Sequence, residues 1–291
     1  MSVAPAIVVH GGCGRIEAAT VAERPEGVRQ AAARGFEVLR AGGTSLDAVE
    51  AAVEVLEELP LFNAGRGSVL NAEGEIETDA SIMDGATRRA GAVACVRGIL
   101  HPVQLARRVM ETTPHVLLAG EGATRFAQSQ GFPRLRPEDL IVDARRAQWE
   151  RVRTAESQSE HGTVGAVACD LQGHVAAATS TGGMVNKLPG RTGDTPLIGC
   201  GTWADARLAV SCTGHGEQII RMTLARLAAF QYESSSDAQR AGEAALAELN
   251  ATAAGDAGLI LVDRQGRVAF CKNTPNMPVC AISHQGTLVQ A

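Results

Sequence analysis

Four short segments combine glycine with hydroxyl side chains inside one 55-residue stretch: Gly162-Thr163-Val164-Gly165, Thr179-Ser180-Thr181-Gly182-Gly183, Gly190-Arg191-Thr192-Gly193-Asp194 and Ser211-Cys212-Thr213-Gly214-His215-Gly216. Any one of them reads as a tight turn. Together they bring nucleophilic hydroxyls beside backbone that glycine leaves open, with one Arg and one Asp among them. Arg191 offers a planar fork for a carboxylate. Asp194, three residues on, can receive an ammonium group, so the pair can hold both ends of an amino-acid backbone. Thr213 with the Gly214 amide supplies two donors for an oxyanion.

Other chemistries leave no signature. There is no Gly-x-x-x-x-Gly-Lys-Ser/Thr phosphate loop, and neither Gly12-Cys13-Gly14 nor Gly199-Cys200-Gly201 continues into a dinucleotide loop. No Gly-x-Ser-x-Gly elbow or His-Glu-x-x-His helix occurs. His10, His101, His161, His174 and His215 are scattered without ligand spacing, which disfavours a zinc enzyme or a serine triad.

Composition narrows the class further. With 45% apolar and 20% charged residues, the 291-residue chain can bury a sizeable core as one large unit. Aromatic residues make up only 3%, a poor supply for stacking bases or sugars. The 27 basic against 32 acidic residues give a net charge of −5, no footprint for nucleic acid. No apolar run suits a membrane span, and the N-terminus lacks the basic start and long apolar stretch of a signal peptide. Seven cysteines, odd in number and never Cys-x-x-Cys, favour free thiols in a reducing compartment, hence a cytoplasmic protein.

The elements that must position these residues alternate in type. Ala6 to Val9 reads as a buried strand, and Glu26 to Ala41 and Thr44 to Leu59 as helices joined by Gly42-Gly43. A loop follows from Pro60 to Ser68, then helical patterns at Pro102 to Glu111 and Glu121 to Gln130. The polar run Arg145 to Glu160 reads as a solvated helix or a loose linker. Thr163 to Cys169 and His174 to Ser180 form a hairpin about Asp170-Leu171-Gln172-Gly173, and the design recurs at Gly258 to Asp263 and Arg267 to Lys272. Leu208 to Thr213 adds a strand, and Glu217 to Tyr232 and Asp237 to Leu249 add helices. Hairpins with paired long helices predict an α+β layered protein.

The ordered blocks His161-Gly162-Thr163-Val164-Gly165-Ala166-Val167-Ala168, Thr179-Ser180-Thr181-Gly182-Gly183-Met184-Val185-Asn186-Lys187-Leu188-Pro189-Gly190-Arg191 and Gly193-Asp194-Thr195-Pro196-Leu197-Ile198-Gly199 resemble the plant-type L-asparaginase and isoaspartyl peptidase family of N-terminal nucleophile hydrolases. So do Val9-His10-Gly11-Gly12, Pro60-Leu61-Phe62-Asn63-Ala64-Gly65-Arg66-Gly67-Ser68 and Asp79-Ala80-Ser81-Ile82-Met83-Asp84-Gly85. The likeness runs from about residue 5 to about residue 280, weakest between 130 and 160. It implies a single four-layer αββα domain that cuts itself between Gly162 and Thr163 into an α subunit, 1–162, and a β subunit, 163–291. Gly162 has no Cβ to obstruct the strained conformation such a cut requires. The freed α-amine of Thr163, with a reference pKa of about 7.7–8.0, can serve as base for its own hydroxyl, so no histidine is needed.

By the same resemblance Thr163 is the nucleophile and Thr181 the hydroxyl that tunes it, with Thr213 and Gly214 at the oxyanion positions. Arg191 and Asp194 clamp the substrate's carboxylate and amine, Gly216 belongs to the same turn, and Asn63 steadies the nucleophile from the other subunit. The implied substrates are L-asparagine and β-aspartyl dipeptides, with no cofactor for catalysis and a dimer of αβ heterodimers as the assembly. The carbonyls of Leu56, Glu57, Leu59, Phe62, Ala64 and Arg66 match a loop that holds a structural sodium ion. Gly162 stands where the glycosylasparaginase branch has an aspartate, while Thr202-Trp203 and Cys271 to Gln285 are less family-like. Two other readings remain open: a glycosylasparaginase-like amidase, and a non-catalytic amino-acid-binding precursor.

Overall fold

A computed structural model of the chain describes residues 3–14, 21–154, 162–253 and 255–290. It is a mixed α+β structure built on two sheets. The strands are β1 (Ala6–His10), β2 (Thr78–Asp84), β3 (Ala90–Val96), β4 (Leu117–Ala119), β5 (Val164–Cys169), β6 (Val175–Thr181), β7 (Thr202–Ala204), β8 (Leu208–Gly214), β9 (Ala257–Asp263), β10 (Val268–Lys272), β11 (Val279–Ser283) and β12 (Gly286–Gln290). The described helices are α1 (Arg24–Arg40), α2 (Ser45–Glu58), α3 (Pro102–Thr112), α4 (Gly120–Ser129), α5 (Pro137–Leu140), α6 (Asp143–Thr154), α7 (Gly216–Met222), α8 (Leu224–Ser235) and α9 (Ala238–Thr252).

The larger sheet runs β12-β11-β1-β5-β6-β2-β3-β4 and the smaller β10-β9-β8-β7. Strand β1 lies between β11 and β5, antiparallel to both, and β2 pairs with β6, so strands from before and after residue 162 are interleaved in the larger sheet. The period of two along a strand sorts its side chains between faces. On β5, Val164, Ala166 and Ala168 join Ile7 and Val9 of β1 against α1, α2 and α3. Val167 and Cys169 point the other way, with Ala6 and Val8, to the smaller sheet, whose far side carries α8 and α9. Burying a Val or Leu is worth roughly 1.5–3 kcal/mol. A one-residue slip of β5 would exchange its faces, and with both faces covered the register is set.

Local chemistry accounts for the ends of the elements. Thr44 caps α2: its hydroxyl accepts from the Asp47 amide at 3.1 Å while the Asp47 carboxylate accepts from the Thr44 amide at 3.3 Å. Asp237 caps α9 by accepting from the Gln239 and Arg240 amides. The 163–180 hairpin forms as expected, Gly165 opposite Thr179. Two expectations change. The helix read over Glu217 to Tyr232 is broken at Thr223, whose left-handed φ of +46° ends α7 and starts α8. The first part of the polar run is the helix α6, and it is docked as well as solvated. Gln148 is buried and the Arg145 guanidinium donates to the Gly67 carbonyl at 2.7 Å. Residues 155–160 of that run, and His161, lie outside the described residues. All seven cysteines are unpaired. Among the described residues no helix is long and apolar enough to cross a membrane.

Candidate active site

Pairing of β5 with β6 sets Val164 opposite Ser180, which brings the next residue out along each strand, Thr163 and Thr181, side by side. The Thr163 hydroxyl donates to that of Thr181 at 3.2 Å. Thr181 in turn donates to the Gly162 carbonyl at 2.9 Å and accepts from the Gly183 amide at 2.9 Å, so its one proton and both lone pairs are engaged. The Asn63 side chain, from the loop after α2, donates to the same Gly162 carbonyl at 2.7 Å and to the Gly183 carbonyl at 2.7 Å. Its own oxygen accepts from the Val69 amide at 2.9 Å, which holds the amide in place. Two donors thus converge on the carbonyl that precedes Thr163, an arrangement that stabilises negative charge on that oxygen. Gly12 presses against this peptide: with φ of +97° a side chain is already disfavoured, and a Cβ would sit 3.3 Å from the Gly162 Cα.

A small, narrow cleft opens beside Thr163 and Thr181, walled by Arg191, Asp194, Gly214 and Gly216, with Gly162, Gly183, Gly193 and Met184 completing it. Seven of the site residues expected from the sequence therefore share one cleft. Thr213 is fully buried directly behind Gly214, its hydroxyl without an oxygen or nitrogen partner, so it has a proton to offer. Asn63 reaches the cleft through Gly162 and Gly183.

Asp194 is buried, and its Oδ2 has no hydrogen-bond partner. Burial pushes its pKa up to about 7; the Arg191 charge pulls it down while Asp79 and Glu217 push the same way as burial. A cation brought to this carboxylate would reverse the shift. Arg191 is not waiting alone: Nε and Nη2 donate to Glu217 Oε1 and Oε2, both at 2.9 Å. The segment carrying Arg191 is tied down from beneath. Lys187 is buried and donates to the Glu77 carbonyl at 2.9 Å, and the Glu77 carboxylate accepts from the Gly190 amide at 3.0 Å and from Arg97 at 2.8 Å.

Sequence reasoning missed Glu217, Lys187 and the role of His10. His10 is fully buried and its Nδ1 accepts from the Gly12 amide, which leaves the proton on Nε2 toward Ser211 at 3.0 Å. From Ser211 buried hydroxyls continue to Thr179 at 2.8 Å, Thr202 at 2.6 Å and Ser81 at 2.7 Å, ending on the Thr195 carbonyl at 2.6 Å. Burial pushes the His10 pKa down to about 3, against a hydrogen bond with the Thr163 backbone that raises it. His10 is therefore a neutral positioning group. Its signal in the sequence was only the His10-Gly11-Gly12 block.

No group of three or more His, Cys, Asp or Glu side chains could hold a metal among the described residues. The loop after α2 offers carbonyls. A Cβ at Gly65 would lie 2.5 Å from the Glu57 and Leu100 oxygens, and one at Gly67 would lie 2.5 Å from that of Pro60 and 2.8 Å from that of Phe62. The Glu57 and Leu59 carbonyls each accept one amide, from Arg66 and Phe62, and a carbonyl has a second lone pair. Leu56, Glu57, Phe62 and Ala64 are buried, Leu59 is half-buried and Arg66 is exposed.

The chain is similar over nearly its whole length to known proteins. A family described as asparaginase matches residues 3–289. An isoaspartyl peptidase/L-asparaginase of Danio rerio is 48% identical over 269 residues, covering 90% of this chain and 87% of the relative. The human protein of that name is 44% identical over 285 residues, 95% and 92% of the two chains. A plant-type L-asparaginase of Pyrococcus abyssi is 45% identical over 292 residues, 94% of each. This chain belongs to the asparaginase family.

Proposed function

We propose that the protein is an amidohydrolase that activates itself by cutting the Gly162–Thr163 bond, then hydrolyses L-asparagine and removes β-aspartyl residues from the N-terminus of dipeptides. The two sheets with helices outside each form the four-layer αββα sandwich of the N-terminal nucleophile hydrolases, a single domain in which the 1–162 and 163–291 parts stay together. The observation that carries the reading is the Gly162 carbonyl, held by Asn63 at 2.7 Å and Thr181 at 2.9 Å next to the Thr163 hydroxyl.

In the first step the Thr163 oxygen bonds to the Gly162 carbonyl carbon, the 162–163 C–N bond breaks, and the nitrogen takes up the hydroxyl proton beside its own to become the new α-amine. Water then hydrolyses the resulting ester. In turnover that amine takes the Thr163 hydroxyl proton as the oxygen attacks the side-chain amide carbon of the substrate. Thr213, whose hydroxyl has no oxygen or nitrogen partner, and the Gly214 amide stabilise the oxyanion. The proton passes to the leaving ammonia or amine, and water releases aspartate from the β-aspartyl ester. Arg191 holds the α-carboxylate and Asp194 the α-ammonium, with Gly216 leaving room between them.

The carbonyls of Leu56, Glu57, Leu59, Phe62, Ala64 and Arg66 hold a structural sodium ion in this reading. The convergence of carbonyl oxygens about Gly65 and Gly67 supports it, and oxygen ligands suit a hard cation. The assembly is a dimer of αβ heterodimers in the cytoplasm.

The test is intact mass followed by assay. The wild-type chain, 30.2 kDa, should resolve into species of about 17 and 13 kDa by share of length, the smaller starting at Thr163. It should release ammonia from L-asparagine and aspartate from β-aspartyl dipeptides. Thr163→Ala should stay whole and inactive. Cleavage of that variant, or wild-type activity confined to a glycosylated asparagine, would overturn the reading.

A further inference from the structure

A guanidinium can hold a carboxylate on either of two edges, Nε with Nη2 or Nη1 with Nη2. In this protein the first edge of Arg191 is taken: Glu217 receives both hydrogens, at 2.9 Å each. The second edge faces a wall from which side chains are missing. A Cβ on Gly193 would lie 3.1 Å from Nη1, one on Gly183 3.3 Å from Nη1, and one on Gly216 2.8 Å from Nη2. All three glycines line the cleft beside Thr163. The chain thus fills one edge of the arginine with its own acid and clears the other. Glu217 directly follows Gly216, so its backbone is anchored at the cleft while its side chain, 46% exposed, approaches Arg191 from the solvent side.

We propose that Glu217 is a positioning residue that pins Arg191 by its side-on edge and so presents the end-on edge to the α-carboxylate of an amino-acid substrate; this rests on the reading of the cleft as an asparaginase site. Arginine has several freely turning bonds, and ordering it at the moment of binding costs affinity. Two charge-assisted hydrogen bonds donated to Glu217 offset that cost before the substrate arrives. Asp194, a second acid lining the cleft beside Arg191, is left for the ammonium group. His215, whose Nδ1 lies 3.5 Å from Glu217 Oε2, borders the pair on the outer side. A different role, an internal carboxylate that occupies the clamp until substrate displaces it, predicts the opposite change in affinity.

The experiment compares wild type with Glu217→Gln and Glu217→Ala after self-cleavage, on L-asparagine and on 3-aminopropanamide, which is asparagine without its α-carboxylate. Self-cleavage at the wild-type rate shows that each variant folds. For Glu217→Gln we expect KM for L-asparagine to rise about tenfold, the worth of a hydrogen bond between charged groups, and to rise further in Glu217→Ala. Turnover should stay within about twofold, the pattern of lost binding that is equal in ground and transition states. Efficiency on 3-aminopropanamide should not move. An unchanged or lower KM, or the same loss on both compounds, overturns the proposal. Should the wild type bind L-aspartate but hydrolyse neither amide, the function reading fails by itself. Calorimetric titration with L-aspartate then decides: weaker binding in Glu217→Gln supports the role of Glu217, and equal binding ends it.

Discussion

The side-chain amide of Asn63 and the carbonyl oxygen of Gly162, 99 residues apart in sequence, meet at 2.7 Å. Thr181 reaches the same oxygen, so the peptide before Thr163 is polarised before any chemistry begins. Removing one donor from such a pair typically slows reaction about 10²–10³-fold. Asn63→Ala should therefore slow self-cleavage by about that factor, followed as loss of the full-length chain by mass spectrometry. A wild-type time course would show that Thr181 suffices and that Asn63 only braces the loop through Gly183 and Val69.

Asp194 links binding to stability. Its folded value of about 7 lies above its ordinary 3.8, because burial disfavours the charge. The folded chain thus holds this proton more tightly than the unfolded one. The contribution to stability is full below 3.8 and is lost as pH rises through 7. Asp194→Asn, neutral throughout, should melt higher than wild type at pH 8, by roughly 2–4 °C for each kcal/mol recovered, with a smaller gain at pH 5. It should also bind L-aspartate more weakly. Equal melting shifts at both values would contradict the assignment.

His10 works in the opposite sense. Its folded value, about 3, lies below the ordinary 6.5, so the unfolded chain takes up a proton that the folded one refuses. Stability is complete above 6.5 and declines as pH falls toward 3. His10→Gln should lower the melting point at pH 7 by breaking the chain to Ser211, a loss of about 1–3 kcal/mol for a buried partner left unpaired. Yet the further drop between pH 7 and pH 4 should be shallower than in wild type. A steeper drop would mean that the acid sensitivity arises elsewhere.

Sodium binding to the loop after α2 should appear as ion-specific stabilisation. A ligand that binds only the folded state raises the melting point with its concentration. Sodium chloride should outperform choline chloride at equal ionic strength. Identical curves would mean that the carbonyls about Gly65 and Gly67 serve the loop alone.

Much of this was legible in the sequence, for identifiable reasons. The 163–180 hairpin rests on contacts between near neighbours, which spacing alone reveals, and the glycine-rich blocks stand out by their composition. Strands β2 and β3 were not read as strands. Asp79 and Ser81 are polar residues turned into the interior, and the Ser81 partners, Thr195 and Thr202, lie 114 and 121 residues further along the chain. The break at Thr223 was missed because a left-handed threonine, unlike a glycine, leaves no mark in composition. Glu217 looked like an ordinary acid in the first turn of a helix; only the fold brings it to Arg191. His10 finds its partner 201 residues away, beyond any periodicity argument.

The interleaving of early and late strands in the larger sheet has a consequence for the life of the molecule. With β1 gripped between β11 and β5, and β2 held by β6, a chain cut after Gly162 cannot come apart without dismantling its sheet. In the proposed self-activation folding must come first and scission second, since the groups around the Gly162–Thr163 bond meet only in the finished weave. Afterwards the order cannot be run backwards. On that proposal a cut molecule that unfolds becomes two separate peptides, and its recovery then depends on their meeting, so the uncut chain should refold at a rate indifferent to dilution while the cut one should not.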